Sequence, residues 1–385
     1  MYNRIIDLNI AAKRTVFLWG ARQTGKSTLL KKLFPDARRY DLLLSDTYRR
    51  LLGNPALIRQ ECEAENLTGS TQQNPVVIDE IQKVPELLDE IHWLIENRGI
   101  RFILCGSSAR KLKRGHGNLL GGRAARCELY PLVYPEIPEL SLNRALTFGL
   151  LPPHYINDEP AGMIRDYIGN YLKEEIAAEA LTRNVPAFNR FLEVAAMSNG
   201  EVVNYNNIAS ECGVSAPTVK GHFQILEDTL IGRSLPAYSK RGKRRLISTP
   251  KFYFFDTGVI GQLARRGMVE PGTELFGRAF EHFLLMEMWA QTEYSGKHHP
   301  VCYWRTSSQI EVDVVLGDHE VAIEIKGTRE AKDHDLKGLR AFKDDYVCRH
   351  YIAVTLDVYP RKTADGIEIL PWRVFLDRLW AGKII

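Results

Sequence analysis

Eight consecutive residues near the amino end have the types and spacing of a phosphate-binding loop. Residues 20–27, GARQTGKS, fit the pattern GxxxxGK[ST] at every fixed position. Glycines let the backbone curl so that its N–H groups face phosphate oxygens, while Lys26 adds a positive charge and Ser27 offers a hydroxyl to Mg²⁺. The apolar run TVFLW precedes the loop, and STLLKKLF continues as a predicted helix whose N-terminus favours an anion. The predicted contacts to ATP are Gly20, Ala21, Arg22, Gln23, Thr24, Gly25, Lys26, Ser27 and Thr28.

Two acidic residues close a second apolar run further along the chain. Residues 76–78 are Val-Val-Ile, and Asp79 and Glu80 follow them directly. At the carboxyl edge of a strand, Asp79 can hold Mg²⁺ through water and Glu80 can polarise the attacking water. Phosphoryl transfer is catalysed mostly by positioning and charge stabilisation, so an acid pair beside the phosphate loop suffices. The two motifs together predict ATP hydrolysis, with Ser27 and Asp79 as metal-binding residues and Glu80 as a catalytic residue.

Two further positions are candidates for helping the reaction. Ser107 follows the apolar strand RFILC in a Gly-Ser-Ser turn, where its hydroxyl could sense the γ-phosphate or place the water. A polar turn after a buried strand is the alternative. Arg123 lies in the glycine-rich run LGGR and is a candidate arginine finger, a role worth about 10³–10⁵ in rate. A plain surface arginine explains Arg123 nearly as well, and Arg126 competes for the same role.

Two carboxylates and a lysine near the carboxyl end have the types needed for metal-dependent phosphodiester cleavage. Asp313 lies in the predicted strand IEVDVVL, and Glu324 and Lys326 share one face of the predicted strand EVAIEIK. A hairpin through residues 317–318 would bring Asp313 to Glu324, and Glu281 on the preceding helix would complete a Mg²⁺ site. The acids are predicted to bind metal, and Lys326 to orient water or stabilise charge. The alternatives are a nuclease fold that has lost cleavage and a chance pattern.

The middle of the chain has the pattern of a helix-turn-helix unit. Tyr205–Cys212 is a short helical pattern, Gly213 and Val214 form a turn, and Ser215 is a candidate N-cap for a second helix over Ala216–Asp228. Side chains that reach phosphates or base edges are predicted on the exposed face of the second helix. These are Thr218, Lys220, His222 and Gln224.

A strongly basic segment follows this unit. Arg233–Lys251 contains seven lysines and arginines and no acid, and SKRGKRR has a central glycine, as the tip of a β-wing would. Such local basicity predicts salt-dependent contact with nucleic acid, DNA foremost. Use as a protein-docking module and a passive solvated surface are the alternatives. The predicted nucleic-acid contacts are Thr218, Lys220, Lys240, Arg241, Lys243, Arg244 and Arg245.

The order of the apolar runs indicates an α/β architecture in three parts. Residues 15–149 alternate short strand-like runs with helical patterns, as expected of a parallel sheet covered on both faces. Prolines at 152, 153 and 160 mark a linker, after which the pattern is helical to about residue 229. The last third gives a helix, three strands, a charged helix and another strand. The predicted domains are 1–155, 156–260 and 261–385.

The motifs GARQTGKS, VVIDEIQ, ILCGSSA, LxGR and ELYPLVYPE, in this order, resemble the prokaryotic AAA-type P-loop ATPases that carry a C-terminal domain of unknown function. The resemblance continues through YIGNYLKEEIAAEAL and IEIKG, so it covers nearly the whole chain. It implies ATP binding and a winged-helix middle domain, and it agrees with a homo-oligomer, since an arginine finger of AAA proteins usually acts across a subunit boundary. The C-terminal unit resembles the PD-(D/E)xK nuclease fold.

Three hypotheses about function follow from these motifs. The leading one is an ATP-driven protein that acts on nucleic acid. The second is an ATPase switch that remodels or recruits a protein partner, with an inactive nuclease-like fold. The third is a metal-dependent nuclease in which ATP acts only as an allosteric signal.

The composition fits a globular cytoplasmic protein. The chain has 385 residues and a formal net charge of only +4, so any contact with nucleic acid must rest on local clusters of charge. The amino end lacks the apolar core of a signal peptide, and no run approaches the length of a membrane span. The six scattered cysteines, without any CxxC pair, are predicted to be reduced thiols.

Overall fold

The computed structural model describes residues 2–108, 110, 112, 119–175, 184–238, 240, 244 and 246–385. Within these residues the helices are α1 (Lys26–Leu33), α2 (Ser45–Gly53), α3 (Leu57–Ala64), α4 (Leu87–Arg98), α5 (Leu142–Phe148), α6 (Pro152–Ile156), α7 (Pro160–Asp166), α8 (Val185–Met197), α9 (Tyr205–Cys212), α10 (Ala216–Asp228), α11 (Thr257–Leu263), α12 (Glu274–Tyr294), α13 (Lys337–Lys343) and α14 (Trp372–Trp380). A π-helical segment, Tyr167–Glu175, follows α7.

The strands form three sheets. They are β1 (Thr15–Trp19), β2 (Arg39–Asp41), β3 (Val76–Asp79), β4 (Phe102–Gly106), β5 (Ala124–Glu128), β6 (Gly232–Leu235), β7 (Lys251–Phe254), β8 (Val301–Arg305), β9 (Glu311–Leu316), β10 (Val321–Ile325), β11 (His350–Thr355), β12 (Arg361–Lys362) and β13 (Glu368–Pro371).

The first sheet is parallel throughout and has the order β2-β3-β4-β1-β5. Every residue of β1, β3 and β4 is buried, which explains their nearly continuous apolar sequences. Strand β4 lies between β1 and β3. The loop after β1, the acids after β3 and the turn after β4 therefore leave the sheet at the same carboxyl edge. The predicted α/β class and P-loop sheet are confirmed.

The middle of the chain is helical and ends in a two-stranded antiparallel sheet. Helices α8, α9 and α10 pack around a shared aromatic core, and β6 then pairs with β7. The Ser215 hydroxyl accepts a hydrogen bond from the Thr218 N–H at 3.3 Å, so the predicted N-cap of α10 is present. The turn before it is made by Gly213 in a left-handed conformation with φ 66°.

The third sheet has the order β12-β13-β11-β10-β9-β8. Strands β8, β9 and β10 form an antiparallel meander, whereas β10, β11 and β13 run parallel. Helix α12 packs against this sheet with 13 of its 21 residues buried, which makes it the central helix of the molecule.

The segment between β6 and β7 joins the middle of the chain to the third sheet. The Tyr238 N–H donates to the Tyr303 carbonyl at 2.6 Å, and the Ile247 N–H donates to the Arg305 carbonyl at 2.9 Å. Both acceptors lie on β8, the end strand of that sheet. The Tyr238 ring also enters the core beside Phe342. We name residues 232–254 the β6–β7 hairpin.

All six cysteines are unpaired, and three of them, Cys62, Cys105 and Cys212, are buried. Burial raises the pKa of each of these thiols. These three cysteines lie in the core. Across the part of the chain that the structure describes, no helix combines the length and the apolarity needed to cross a bilayer.

Candidate functional site

The loop between β1 and α1 curls tightly at the carboxyl edge of the first sheet. Gly25 has a φ of 93° and Gln23 a φ of 65°, so the chain turns through left-handed conformations twice. A Cβ atom on Gly20 would lie 2.6 Å from the Leu129 carbonyl oxygen, so only glycine fits there. The loop is thus held against the segment that follows β5.

Lys26 directs its charge back into this loop. Its side chain is almost fully buried, and Nζ donates to the carbonyls of Gly20 at 2.7 Å and Ala21 at 2.9 Å. The Thr24 hydroxyl donates to the same Ala21 carbonyl at 2.8 Å. A buried ammonium at the mouth of a curled loop is suited to bind an anion.

Ser27 and Asp79 meet as the sequence predicts for a magnesium site. The Ser27 hydroxyl donates to Asp79 Oδ2 at 2.6 Å, which joins α1 to the end of β3. Asp79 Oδ1 is buried and has no hydrogen-bond partner among the described residues. A hard cation takes hydroxyl and carboxylate oxygens as ligands. These residues therefore fit Mg²⁺, which would neutralise charge on bound phosphates.

Glu80, Gln82 and Ser107 form a buried hydrogen-bonded group beside that pair. Gln82 Nε2 donates to Glu80 Oε2 and to the Ser107 hydroxyl, the latter at 3.1 Å. The Ser107 hydroxyl lies 3.4 Å from the same glutamate oxygen. The structure thus brings together the predicted residues Glu80 and Ser107. Sequence reasoning missed Gln82. Its position two residues after Glu80, in the run DEIQ, could have indicated a hydrogen-bond partner for the Glu80 carboxylate.

Arg4 ties the amino end to the phosphate loop and was also missed. Its Nη1 donates to the Thr24 carbonyl at 2.6 Å, and its Nη2 donates to the Tyr130 carbonyl at 2.7 Å. Its Nε lies 2.7 Å from a carboxylate oxygen of the buried Glu136. One guanidinium therefore links the loop to the segment after β5. No sequence motif marks Arg4, because its partners lie far away in the chain.

Arg123 is not brought to this site within the chain. It immediately precedes β5, at the level of Thr15 at the start of β1, so it lies at the amino edge of the parallel sheet. The phosphate loop leaves the opposite edge. The side chain of Arg123 is 39% exposed and pairs with Glu96. Its competitor Arg126 lies within β5, with its side chain more exposed than that of Arg123.

An apolar cavity of about 140 Å³ opens beside the phosphate loop. Gly25 and Thr28 form its wall nearest the loop, so Thr28 lies where the sequence predicts a nucleotide contact. The other walls come from Tyr2 at the amino end and from Leu132, Pro152 and Ile156. Four separate stretches of the chain therefore line this cavity.

A second cavity, of about 240 Å³, lies on another side of the loop. Ala21 and Thr24 line it together with Asp228 of α10 and Trp289 of α12. The loop also meets the π-helical segment, since the Arg22 guanidinium lies 4.8 Å from the centre of the Tyr171 ring. The predicted nucleotide contacts Ala21, Arg22 and Thr24 thus also face the middle of the chain.

Three of the four polar residues that were predicted to be exposed on α10 are exposed. Thr218, Lys220 and Gln224 are exposed. His222 is buried instead, between the rings of Phe188 and Phe191 at 5.0 Å from each. The reason is its helical position three residues after the buried Val219, which places both on the core face.

The described cations of the basic segment, which the sequence predicts to contact nucleic acid, are paired with acids in the fold. Among its described residues, Lys240 pairs with Asp318, and Arg244 pairs with Asp345 at 2.6 Å. Arg233 pairs with Glu128 at 2.7 Å. These acids come from distant parts of the chain, so sequence could not show the pairing. Three predicted nucleic-acid contacts, Arg241, Lys243 and Arg245, lie outside the described residues.

The predicted residues of the C-terminal carboxylate–lysine group do meet. The antiparallel register of β9 and β10 brings Glu324 beside Asp313, whose Oδ2 accepts the Ile325 N–H at 2.7 Å. Lys326 Nζ lies 2.6 Å from Glu324 Oε1. Burial, then the charge of Glu281, raises the pKa of Asp313, and burial with the charge of Asp313 raises the pKa of Glu324.

Lys251 and Glu311 complete this group, although sequence reasoning did not assign them to it. Lys251, the first residue of β7, places Nζ 3.6 Å from Glu281 and in an ion pair with Glu311. Burial lowers the pKa of Lys251, but the carboxylates of Glu281 and its neighbours raise it well above its ordinary value. The sequence counted Lys251 among the exposed cations of the basic segment. We name Lys251, Glu281, Glu311, Asp313, Glu324 and Lys326 the carboxylate–lysine cluster.

The predicted metal site at Glu281, Asp313 and Glu324 is not formed in this arrangement. Over the described residues, no group of three or more His, Cys, Asp or Glu side chains is placed to hold a metal ion. The physical reason is that two ammonium groups, those of Lys251 and Lys326, already lie against the carboxylates. In this structure these residues form a group of buried ion pairs, and the Mg²⁺ site at Glu281, Asp313 and Glu324 stays a prediction.

Comparison with known sequence families divides the chain into three. Residues 12–138 match a family described as an AAA domain. Residues 139–269 and 276–375 match two families described as domains of unknown function, DUF8612 and DUF4143.

Similar full-length proteins carry no assigned activity. Uncharacterized proteins of Mycobacterium tuberculosis and Mycobacterium bovis are each 27% identical over 337 residues, which cover 81% of this chain and 70% of theirs. An uncharacterized protein of Haemophilus influenzae is 22% identical over 91% of both chains. One solved structure, a signal transduction ATPase with numerous domains and a tetratricopeptide repeat sensor from Pyrococcus horikoshii, is 16% identical with a TM-score of 0.21. The match covers 75% of this chain and 47% of that one.

Proposed function

We propose that the AAA-type P-loop ATPase domain at the amino end binds ATP with Mg²⁺ at residues 20–28 and hydrolyses it. The observation that carries the proposal is the Ser27–Asp79 hydrogen bond at 2.6 Å, with the second Asp79 oxygen buried and unpartnered, directly beside the curled loop and Lys26. The loop amides and Lys26 bind the phosphates. A magnesium ion held by Ser27 and Asp79 supplies charge neutralisation at the phosphates.

Glu80 is the residue that we assign to activation of the attacking water. Its carboxylate accepts from Gln82, which also holds the Ser107 hydroxyl, so its orientation is fixed. A carboxylate so held can accept a proton from water as the water attacks the γ-phosphate. Ser107 is placed to hydrogen bond either that water or the γ-phosphate.

We assign the base of the nucleotide to the apolar cavity of about 140 Å³. This cavity begins at Gly25 and Thr28, which flank Lys26 and Ser27 in the chain. Its apolar walls, Leu132, Pro152 and Ile156, are suited to the flat faces of a base. Binding there would draw together the amino end, α1 and α6.

Two variants test this proposal in one pair of measurements. Lys26→Ala should weaken ATP binding at least about tenfold and abolish hydrolysis, because the phosphate loses a charge-assisted hydrogen bond. Glu80→Gln should keep ATP affinity and lower the hydrolysis rate about 100-fold or more. Binding is measured by calorimetry with Mg²⁺ and hydrolysis by phosphate release, with the exposed Lys13→Ala as the matched control. Unchanged hydrolysis in Lys26→Ala would refute the proposal.

A second proposed function is contact with nucleic acid, DNA foremost, through α10. Lys220 and Gln224 lie one turn apart on the exposed face of a capped helix, and Thr218 is exposed near the start of the same helix. The helix belongs to a helix-turn-helix unit that precedes a β-hairpin, the arrangement of a winged helix. Of the basic segment, the described cations Lys240 and Arg244 are paired with acids, so we assign the first contacts to the helix. The alternative partner is a protein that docks on the same edge.

The salt dependence of binding distinguishes these partners. If α10 contacts phosphate, Lys220→Gln should weaken binding of duplex DNA at every sequence and reduce the slope of log affinity against log salt by about one. Arg329→Gln, a loop cation away from α10, is the control. DNA binding that is absent at low salt, or that Lys220→Gln leaves untouched, would favour the protein partner.

We further propose that Arg123 acts on the site of a neighbouring copy in a homo-oligomer. Its side chain lies at the far edge of its own sheet, so only a second copy can present it to a bound nucleotide. Sedimentation with ATP should then show assembly. In that case Arg123→Ala should lower hydrolysis without weakening ATP binding, whereas a fully active monomer would exclude the role.

A further inference from the structure

The β6–β7 hairpin sends one lysine into the C-terminal part of the chain. Lys251 pairs through its backbone with Leu235 of β6 and bridges to Val202, so it belongs to the middle of the fold. Its side chain nevertheless points away into the carboxylate–lysine cluster and is only 5% exposed. A buried lysine that leaves its own structural unit needs a partner in the other one.

That partner is a pair of glutamates from two different elements. Nζ lies 3.6 Å from Glu281 Oε1 of α12 and forms an ion pair with Glu311 of β9. The Tyr303 ring of β8 lies 5.3 Å from Nζ and adds a cation–π contact. The Tyr253 hydroxyl, also from the hairpin, donates to Glu281 Oε1. Two hairpin side chains therefore converge on Glu281.

The remaining carboxylates are neutralised within the C-terminal part. Lys326 pairs with Glu324 at 2.6 Å, and Arg305 pairs with Glu311 at 3.2 Å. Asp313 accepts from the Ile325 backbone. Counting Lys251, three cations oppose the four acids Glu281, Glu311, Asp313 and Glu324. Without Lys251 only two cations would remain, and Glu281 would be left without an ionic partner among its described contacts.

We propose that Lys251 is a built-in counter-ion that takes the place of a divalent cation and excludes one from the carboxylate–lysine cluster. A divalent cation and the ammonium compete for the same oxygens of Glu281, and they repel each other at such short range. The ammonium is attached to the chain, so its effective concentration at the cluster is high. A metal ion from solution must therefore displace a tethered competitor and pull the hairpin from β8.

The proposal has a structural corollary. Lys251 of the middle part covers the carboxylates of the C-terminal part, so the carboxylate–lysine cluster accepts a metal ion only when the β6–β7 hairpin moves. The β6–β7 hairpin and the carboxylate–lysine cluster thus meet in a single contact. This inference does not depend on whether the amino-terminal loop hydrolyses ATP.

The proposal is tested by titrating a metal ion into a variant in which an uncharged residue replaces Lys251. All proteins carry Asp79→Asn, which removes the carboxylate that β3 places beside the phosphate loop, and no nucleotide is present. Mn²⁺ is titrated calorimetrically into the parent chain, into Lys251→Met and into the exposed control Lys13→Met. We expect Lys251→Met to take up one Mn²⁺ per chain at least about tenfold more tightly than the parent or the control, since one competitor is gone. Adding Glu324→Gln should abolish that gain.

Two results would overturn the proposal. One is a parent chain that binds Mn²⁺ as tightly as Lys251→Met and loses it on Asp313→Asn. The other is a folded Lys251→Met chain, with an unchanged circular dichroism spectrum, that binds no more Mn²⁺ than the parent.

A second measurement uses the unaltered protein, in case Lys251→Met does not fold. Acetylation by acetic anhydride, followed by mass spectrometry, compares Lys251 with Lys220 as Mn²⁺ is added. Lys251 should react at least about tenfold more slowly, because its ammonium is buried in ion pairs, and Mn²⁺ should not change its rate. If Mn²⁺ raises the reactivity of Lys251 toward that of Lys220, the ion displaces the lysine and the inference is wrong.

Discussion

Glu80 occupies a backbone conformation that few glutamates adopt. Its φ is 60° and its ψ is 43°, in the left-handed region. This turn after β3 sends the chain directly into the short 3₁₀ helix Ile81–Lys83, which carries Gln82. The Gln82 side chain can then reach both Glu80 and Ser107. The strained backbone thus serves the orientation of one carboxylate, and strain of this kind gathers at functional sites.

Replacing Gln82 should separate chemistry from binding. Gln82→Ala removes the donor that holds Glu80 and Ser107, so the carboxylate loses its fixed direction toward the attacking water. We expect hydrolysis to fall about tenfold to 100-fold while the affinity for ATP changes less than about twofold. Phosphate release and calorimetry measure the two quantities, and the exposed Gln60→Ala is the control. A parallel loss of both would mean that Gln82 shapes the nucleotide pocket instead.

Sequence could predict the residues of the phosphate site because they are local. Glycine spacing, Lys26 and Ser27 lie in one run, and the acids Asp79 and Glu80 end a recognisable strand. The distance of Arg123 from the phosphate loop could also have been predicted from the sequence, since a residue that precedes a parallel strand lies at the amino edge of its sheet. By contrast, Arg4 and Lys251 act through partners far along the chain, and no periodicity or motif reveals such pairs.

At the scale of elements, α12 holds the three parts of the chain together. Glu287 accepts from the Tyr134 N–H at 2.9 Å and from Trp380 Nε1 at 2.8 Å. The His282 Nε2 lies 2.7 Å from the Phe254 carbonyl of β7. Sequence predicted an amphipathic helix here. It could not predict burial on most sides, because that depends on which elements pack around it.

The pH dependence of stability should report on Glu287. Complete burial is the main cause that raises the pKa of Glu287 to about 8, against an ordinary value of 4.5. Between these values the unfolded chain has released a proton that the folded chain keeps, so the free energy of unfolding falls as pH rises. The loss amounts to about 1.4 kcal/mol per pH unit, and it is complete once the pH passes the folded pKa.

Glu287→Gln should remove this slope. The glutamine side chain does not titrate, although its single amide oxygen can accept only one of the two hydrogen bonds that Glu287 accepts. Urea denaturation should therefore show the stability of the variant, relative to the parent, rising by several kcal/mol between about pH 5 and pH 8. Curves that stay parallel from pH 5 to 8 would show that Glu287 ionises normally in the folded protein.

The basic segment illustrates where charge patterning fails as a guide. Seven cations without an acid predict a basic surface that is open to nucleic acid, and that reasoning considers only neighbours in sequence. In the fold, Arg233, Lys240, Arg244 and Lys251 each meet an acid from another element. His222 shows the same limit on a smaller scale, since its polar type favours exposure whereas its helical position decides its burial.

At the scale of the whole molecule, the phosphate loop contacts the middle of the chain at more than one point. Arg22 lies over the Tyr171 ring, and the cavity of about 240 Å³ joins Ala21 and Thr24 to α10. Arg110, which follows the turn after β4, lies 3.2 Å from Asp228 at the end of α10. Nucleotide at the loop therefore has short physical routes to the helix-turn-helix unit.

This arrangement predicts that ATP changes the dynamics of α10. Addition of Mg-ATP should change amide hydrogen exchange in residues 216–228 at least about twofold, because ordering of the loop alters the wall that they share. Asp228→Asn, which breaks the ion pair with Arg110, should reduce that response, whereas the exposed Asp158→Asn should not. Equal exchange with and without nucleotide would contradict coupling by this route.

The position of strand β8 determines which fragments of the chain can be produced alone. Its outer edge is covered by residues 236–238 and 246–247, which come from the β6–β7 hairpin. A fragment that starts where the family match to the last third begins, at residue 276, would keep β8 and lose this cover. Bare backbone donors and acceptors on such a strand recruit other strands, so this piece would aggregate when expressed alone. The practical cutting point for a soluble fragment lies upstream of Gly232, even though no family border falls there.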